Sequence, residues 1–155
     1  MNLFFFGTLM DDEVRAIVCG RALPVRPARL RGWRRPHVAG RHYPMLQQRP
    51  GGYLNGVVAE EVDSEALRRL QIYEGWEYEL RPFRLETPQG PLAAHVFTCP
   101  PTIAWAEPEW RLDRWQLRHK QAFLPQLRRQ MALVLAQADG GRRRLGAFSR
   151  LWPGV

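Results

Sequence analysis

The amino-acid sequence predicts an α+β fold in which a mainly antiparallel sheet occupies the first two-thirds and helices follow. Three observations carry this. An apolar run, Phe4-Phe5-Phe6, stops at Gly7; two later stretches read as short strands paired around Gly- and Pro-containing turns; and residues 112–135 repeat apolar side chains at helical spacing. With 155 residues the chain is one domain long, and at 45% hydrophobic with six Trp, seven Phe and four Tyr it can bury a real core. The expected organisation is therefore a single domain over residues 1–155, with 105–138 a helical C-terminal extension.

Phe4-Phe5-Phe6-Gly7-Thr8-Leu9-Met10 reads as a first strand feeding a tight loop. Asp11 and Asp12 then precede Val14, Ile17 and Val18, a helical pattern ended by Gly20, so a short capped helix follows. A small-residue loop between a strand and a helix start makes an anion site. Gly7 brings the backbone close to a ligand, and N–H groups near the helix start face outward with the positive end of the dipole behind them. Such transitions are also common connectors, so a second feature has to decide between the two.

Residues 21–41 are rich in Arg and Pro and read as one or two irregular strands, kept at an edge or broken by Pro24, Pro27 and Pro36. Tyr43-Pro44-Met45-Leu46, a turn at Arg49-Pro50-Gly51-Gly52, and Tyr53 to Ala59 read as a hairpin. Gly56 inside its second strand marks a bulge or the close approach of another group.

Asp63-Ser64 opens a second helix with Glu65 in its first turn. Leu67 and Leu70 are three apart and Glu74 lies four beyond Leu70, so this carboxylate shares the face that must pack on the sheet. Gly75 stops the helix and leaves Glu74 in its last turn, near the negative dipole end. Burial and that dipole end both disfavour the ionised form, so the Glu74 pKa is expected to rise toward the range useful for general acid-base chemistry at neutral pH. The alternative is a structural carboxylate that reaches solvent or pairs with Arg68 or Arg81.

Beyond Gly75, a strand through Tyr78 and Leu80 turns at Pro88-Gln89-Gly90 into a second strand, Leu92 to Phe97. Pro100-Pro101 closes the sheet region and the remainder reads as helical. Leu112, Trp115, His119 and Phe123 form one stripe and Leu127, Met131, Val134 and Leu135 another, with Pro125 separating or kinking them. These stripes read as core. Trp105, Trp110 and Trp115 either wall a pocket or pack as core.

The formal charge of +8 raises nucleic acid as a partner, yet Lys120 is the one lysine and the arginines are spread through every segment, which argues against a binding patch. The arginine run at 142–144 reads as a solvated face. Cys19 and Cys99 lack a CxxC or a nearby His and read as reduced, mostly buried thiols, pointing to a reducing compartment; Cys99, directly before two prolines and without a base, is a poor nucleophile. His37, His42, His95 and His119 stand singly, and no metal or cofactor motif appears. With neither a basic N-terminal region nor a membrane-length apolar run, a cytoplasmic protein with no membrane partner is expected.

Three pieces, in order, resemble the gamma-glutamylcyclotransferase-like family, which includes gamma-glutamylamine cyclotransferases and the plant avirulence-induced relatives. They are Phe4-Phe5-Phe6-Gly7-Thr8-Leu9, the stretch from Tyr43-Pro44 to Asn55-Gly56-Val57-Val58, and Leu70-Gln71-Ile72-Tyr73-Glu74-Gly75 with Tyr78-Glu79-Leu80-Arg81. The resemblance implies a small, mixed, mostly antiparallel barrel-like sheet with flanking helices. It implies that the loop of Phe6, Gly7, Thr8 and Leu9, with Tyr78, contacts a gamma-glutamyl substrate and that Glu74 is the acid-base residue of a cofactor-independent enzyme. Phe6 stands where the family commonly has Tyr, and Gln71 where Asp is frequent. The function so implied is release of 5-oxoproline from a small-molecule gamma-glutamyl amine or related compound. The competing class is a non-catalytic module that keeps the pocket for a small carboxylate. The oligomeric state is not legible in the sequence.

Overall fold

The computed structural model describes residues 1–75 and 77–139. Five strands close into a barrel in the order β1-β4-β2-β5-β6. They are β1 (Leu3–Phe5), β2 (Arg26–Arg34), β4 (Gln47–Ala59), β5 (Glu79–Thr87) and β6 (Gly90–Thr98). Antiparallel pairing prevails; the exception is β1 against β6, where Leu3 sits beside His95 in parallel register. A separate two-stranded sheet joins β3 (Pro36–Val38) to β7 (Trp105–Glu109). Helices α1 (Asp12–Cys19), α2 (Ser64–Glu74), α3 (Leu112–Arg118) and α4 (Lys120–Asp139) pack outside the barrel.

The unbroken apolar run of β1 follows from its position between two cores. Phe4 points into the barrel against Leu30, Leu54, Val58, Leu85 and Val96. Leu3 and Phe5 alternate to the other face and pack with Val14 and Val18 of α1, Leu70 of α2 and Leu127 of α4. Gly56 makes this possible: a Cβ there would lie 2.5 Å from both the Phe4 ring and the Phe5 carbonyl oxygen. The close approach expected at Gly56 is thus that of β1.

Helix α1 is capped by Asp11, whose carboxylate accepts from the N–H groups of Glu13 and Val14, and it ends at Gly20 with φ 75°. Helix α2 is capped by Asp63 through the Ala66 N–H and ends at Gly75 with φ 89°. The β5–β6 hairpin turns at Pro88-Gln89, with Thr87 opposite Gly90.

Five expectations are corrected. Residues 49–52 do not reverse the chain; they lie inside β4, whose partner is β2, and the turn-forming residues kink the ladder instead. Arg31 faces Tyr53 and Trp33 faces Gln48, so Gly32 alone opposes residues 49–52, with Gly32 and Gly51 both at positive φ. Tyr43 to Leu46 is correspondingly not a strand but an irregular segment with one bridge, Pro44 to His37. Strand β2 is not an edge: it sits between β4 and β5, although its ladder with β5 has the single pair Arg29–Glu86. The extension 105–138 is not wholly helical, because residues 105–109 form β7 and helix begins at Leu112. The helical break falls at His119, whereas Pro125 lies within α4. Both stripes are core, with Trp115, Phe123, Leu127, Met131 and Val134 buried. The arginines at 142–144 and Trp76 lie outside the described residues. Among the described residues, no helix is long and apolar enough to cross a membrane.

Candidate active site

The apolar face of α2 sets the direction of Glu74. Leu70 is fully buried in the helix-side core, and one turn later the same face meets the end of β1, where the chain has left the strand and the wall opens. Gly75 then leaves the helix at positive φ, its N–H still donating to Gln71 O at 2.9 Å, and the chain returns past Tyr78 into β5. The result is a cavity of about 90 Å³ with Glu74 on one wall and the segment Phe6-Gly7-Thr8-Leu9 on another. All six residues singled out in the sequence, Phe6, Gly7, Thr8, Leu9, Glu74 and Tyr78, line it.

Glu74 is enclosed by protein but faces the cavity. Among the described residues no cation lies within ion-pair distance of it: Arg68 binds Glu65 at 3.1 Å, and Arg81 leans on the Phe83 ring. The structural pairing with Arg68 or Arg81 is therefore absent. Burial with no compensating charge pushes the Glu74 carboxyl up to about 8. Burial, followed by the charge of Glu74, also raises the hydroxyls of Tyr73 and Tyr78, and burial raises that of Tyr43, so all three phenols stay protonated around it.

The loop differs from expectation in one respect. The N-terminus of α1 is not open, since Asp11 occupies its first amides and is itself held by Lys120 at 2.8 Å and Gln116 at 2.9 Å. The loop that lines the cavity instead forms a single 3-10 turn, Thr8–Met10, in which Met10 N–H donates to Gly7 O and Asp11 N–H to Thr8 O. The first N–H groups of such a turn have no partner inside it. Gly7 has ordinary negative φ; its missing Cβ admits the Pro44 ring, which a Cβ would meet at 3.1 and 3.2 Å. The missing Cβ thus serves the wall of the pocket, where Pro44 would otherwise have to give by a few tenths of an ångström.

Sequence reasoning did not assign Tyr73, Tyr43 or Pro44 to the site, yet all three line the cavity. The Tyr73 and Thr8 hydroxyls are 2.9 Å apart, tying the end of α2 to the loop. Tyr43 and Pro44 are braced from behind: Trp110 Nε1 donates to His42 O at 2.8 Å, and the His42 ring stacks on His119 at 3.7 Å. The signal was adjacency, since Tyr73 precedes Glu74 and Tyr43-Pro44 opened one of the three matching stretches. Of the two departures, Phe6 lines the cavity without a hydroxyl, whereas Gln71 is exposed on α2 and away from it. Cys99 is not among the lining residues, and burial pushes its thiol up, which disfavours the thiolate.

Comparison with known proteins bears on the family and the fold. The family described as Gamma-glutamyl cyclotransferase, AIG2-like matches residues 3–117. AIG2-like protein A of Arabidopsis thaliana is 29% identical over 129 residues, spanning 79% of this chain and 76% of its own length. A solution structure of another Arabidopsis thaliana protein superposes with a TM-score of 0.60 over 94% of this chain and 90% of its own, at 22% identity. A structure named gamma-glutamyl cyclotransferase gives 0.50 over 64% and 66%, at 16% identity. At such identities the two structures speak to the fold alone. The family match spans most of the chain and takes in both the Phe6–Leu9 loop and Glu74: the chain belongs to the gamma-glutamyl cyclotransferase, AIG2-like family.

Proposed function

We propose that this protein is a gamma-glutamyl cyclotransferase that releases 5-oxoproline from a gamma-glutamyl amine or a related gamma-glutamyl compound. The observation that carries the reading is Glu74, a carboxyl without an ion-pair partner among the described residues and raised to about 8, lining one small cavity with the Gly7–Leu9 segment.

The substrate's alpha-carboxylate sits at the loop amides, which places its alpha-amine toward Glu74. Ionised Glu74 takes a proton from the alpha-ammonium, and the freed amine attacks the gamma-carbonyl carbon. The new C–N bond closes a five-membered ring, Glu74 returns the proton to the departing nitrogen as its bond to the gamma-carbon breaks, and the second proton shed by the ring nitrogen ends on the released amine, which leaves as its ammonium. A carboxyl titrating near 8 exchanges that proton in both directions at neutral pH, which an ordinary carboxylate does poorly. Fixing the carboxylate end restricts the chain to conformers that can cyclise, the entropic advantage of an oriented intramolecular reaction. The protonated phenols of Tyr43, Tyr73 and Tyr78 supply hydrogen-bond donors without competing as bases.

The absent hydroxyl at Phe6 favours a second reading, a binding module that retains the pocket without turnover. Assay of 5-oxoproline release from a panel of gamma-glutamyl amines, gamma-glutamyl amino acids and glutathione separates the two. The enzyme reading expects release from at least one amine or amino-acid conjugate and its loss in Glu74→Gln. Binding of 5-oxoproline with no release from any compound supports the module.

A further inference from the structure

The loop that faces the cavity is held from its other side by a cation that the proposed chemistry does not use. Arg35, between β2 and β3, directs Nη1 to Phe6 O at 2.9 Å and to Asn55 O at 2.8 Å, with Met10 Sδ at 3.5 Å. Its guanidinium lies 6.0 Å from the Trp110 ring centroid, and its own carbonyl accepts from Trp110 N–H at 2.9 Å. Among the described residues it makes no ion pair. The acid in its field, Glu109, is bound to Arg34 at 2.9 Å. Burial, only partly offset by Glu109, pulls the Arg35 pKa down. A half-buried charge satisfied by neutral carbonyls alone is destabilising until an anion comes near.

The peptide between Phe6 and Gly7 connects this cation to the cavity. In a trans peptide the C=O and the following N–H point in opposite directions. With Arg35 on the Phe6 carbonyl, the Gly7 N–H is turned to the opposite side, where Gly7 lines the cavity. Arg35 thus fixes the direction of this amide and polarises it.

We propose that Arg35 is a positioning residue for anion recognition: through the Phe6–Gly7 peptide it makes the loop selective for a carboxylate over its neutral amide, and the bound carboxylate serves as its counter-ion. This rests on the reading of the loop as the carboxylate site. Arg15 supports the same loop from a second direction, donating to Leu9 O at 3.1 Å and Met10 O at 3.2 Å. Its charge is already paired with Asp12, so it sets the shape of the turn and leaves selectivity to Arg35.

Calorimetry with 5-oxoproline and with its carboxamide, on the native chain, Arg35→Gln and Arg35→Lys, tests this. The native protein should prefer the carboxylate. Arg35→Gln, which keeps a donor for Phe6 O but no charge, should lose roughly tenfold of that preference with carboxamide affinity unchanged, as removal of one charge from a partly buried site implies. Arg35→Lys should keep the preference within about threefold. Equal weakening of both ligands in Arg35→Gln, or an undiminished preference, overturns the proposal. If Arg35→Gln does not melt cooperatively, Glu109→Gln decides: removing the acid in Arg35's field should raise the preference about twofold, and an unchanged preference overturns it. A native chain that binds neither ligand and releases no 5-oxoproline overturns the pocket reading itself, a result distinct from a native preference that survives the loss of Arg35.

Discussion

Glu74→Gln is the most informative single change, because stability and activity should respond in opposite directions. Below pH 4.5 the carboxyl is neutral in folded and unfolded chains alike, and Glu and Gln differ little. As pH rises above that value the unfolded chain ionises while the folded one, with its carboxyl at about 8, stays protonated. The unfolded state then binds fewer protons, so the native protein loses stability with rising pH until the folded carboxyl also ionises near 8. A rise from 4.5 to about 8, at roughly 1.4 kcal/mol per pH unit, sets a ceiling of about 5 kcal/mol. Glu74 faces a cavity that water can enter, and hydration of the carboxylate there reduces the effect to about 1–3 kcal/mol. Urea unfolding of both proteins from pH 4 to 9 measures it. The Gln variant should match the native chain at pH 4, gain steadily between pH 5 and 8, and hold a constant margin above pH 8. Parallel curves across that range would refute the claim that burial raises this carboxyl.

Three further outcomes follow from the packing around the loop. Gly56→Ala should destabilise by about 3 kcal/mol or more in urea unfolding, because its Cβ would meet the Phe4 ring and the Phe5 carbonyl at 2.5 Å, neither of which can move without opening the β1–β4 pair. Gly7→Ala should change stability by about 1 kcal/mol or less, since Pro44 need yield only a few tenths of an ångström; its effect should appear as a raised KM for 5-oxoproline release. Tyr73→Phe removes the bond to Thr8 and should reduce stability by about 1 kcal/mol. It should also weaken 5-oxoproline binding in calorimetry by loosening the loop.

The parts of the site legible in the sequence are those in which a local rule and a tertiary one coincide. Leu70 and Glu74 four residues apart, with Gly75 next, fix the inward carboxylate whatever the sheet does. Phe4 to Gly7 marks a strand buried on both faces and its end. Where the deciding neighbour is distant in the chain, local rules mislead. Residues 49–52 carry turn-forming chemistry, but the partner across the ladder is Gly32, and positive φ at Gly32 and Gly51 turns a reversal into a bulge. Strand β7 is paired by β3, some seventy residues earlier, and its sequence Trp-Ala-Glu-Pro-Glu has no strand pattern of its own. Asp11 was legible as a cap, but only the fold reveals that by capping α1 it removes that helix as an anion site. Arg15 and Arg35 were hidden for another reason: with 23 Lys and Arg in the chain, nothing local distinguishes a buried guanidinium from a solvated one.

The central claim is that Glu74, as a near-neutral acid-base group, turns a gamma-glutamyl chain into 5-oxoproline. Its most direct test is the pH dependence of kcat/KM for 5-oxoproline release from the most reactive compound of the panel. Because the base must be ionised, the rate should climb with pH along a limb whose midpoint lies near 8, and Glu74→Gln should remove the release. A limb in the ordinary carboxylate range near 4.5, or release undiminished by Glu74→Gln, would contradict the account.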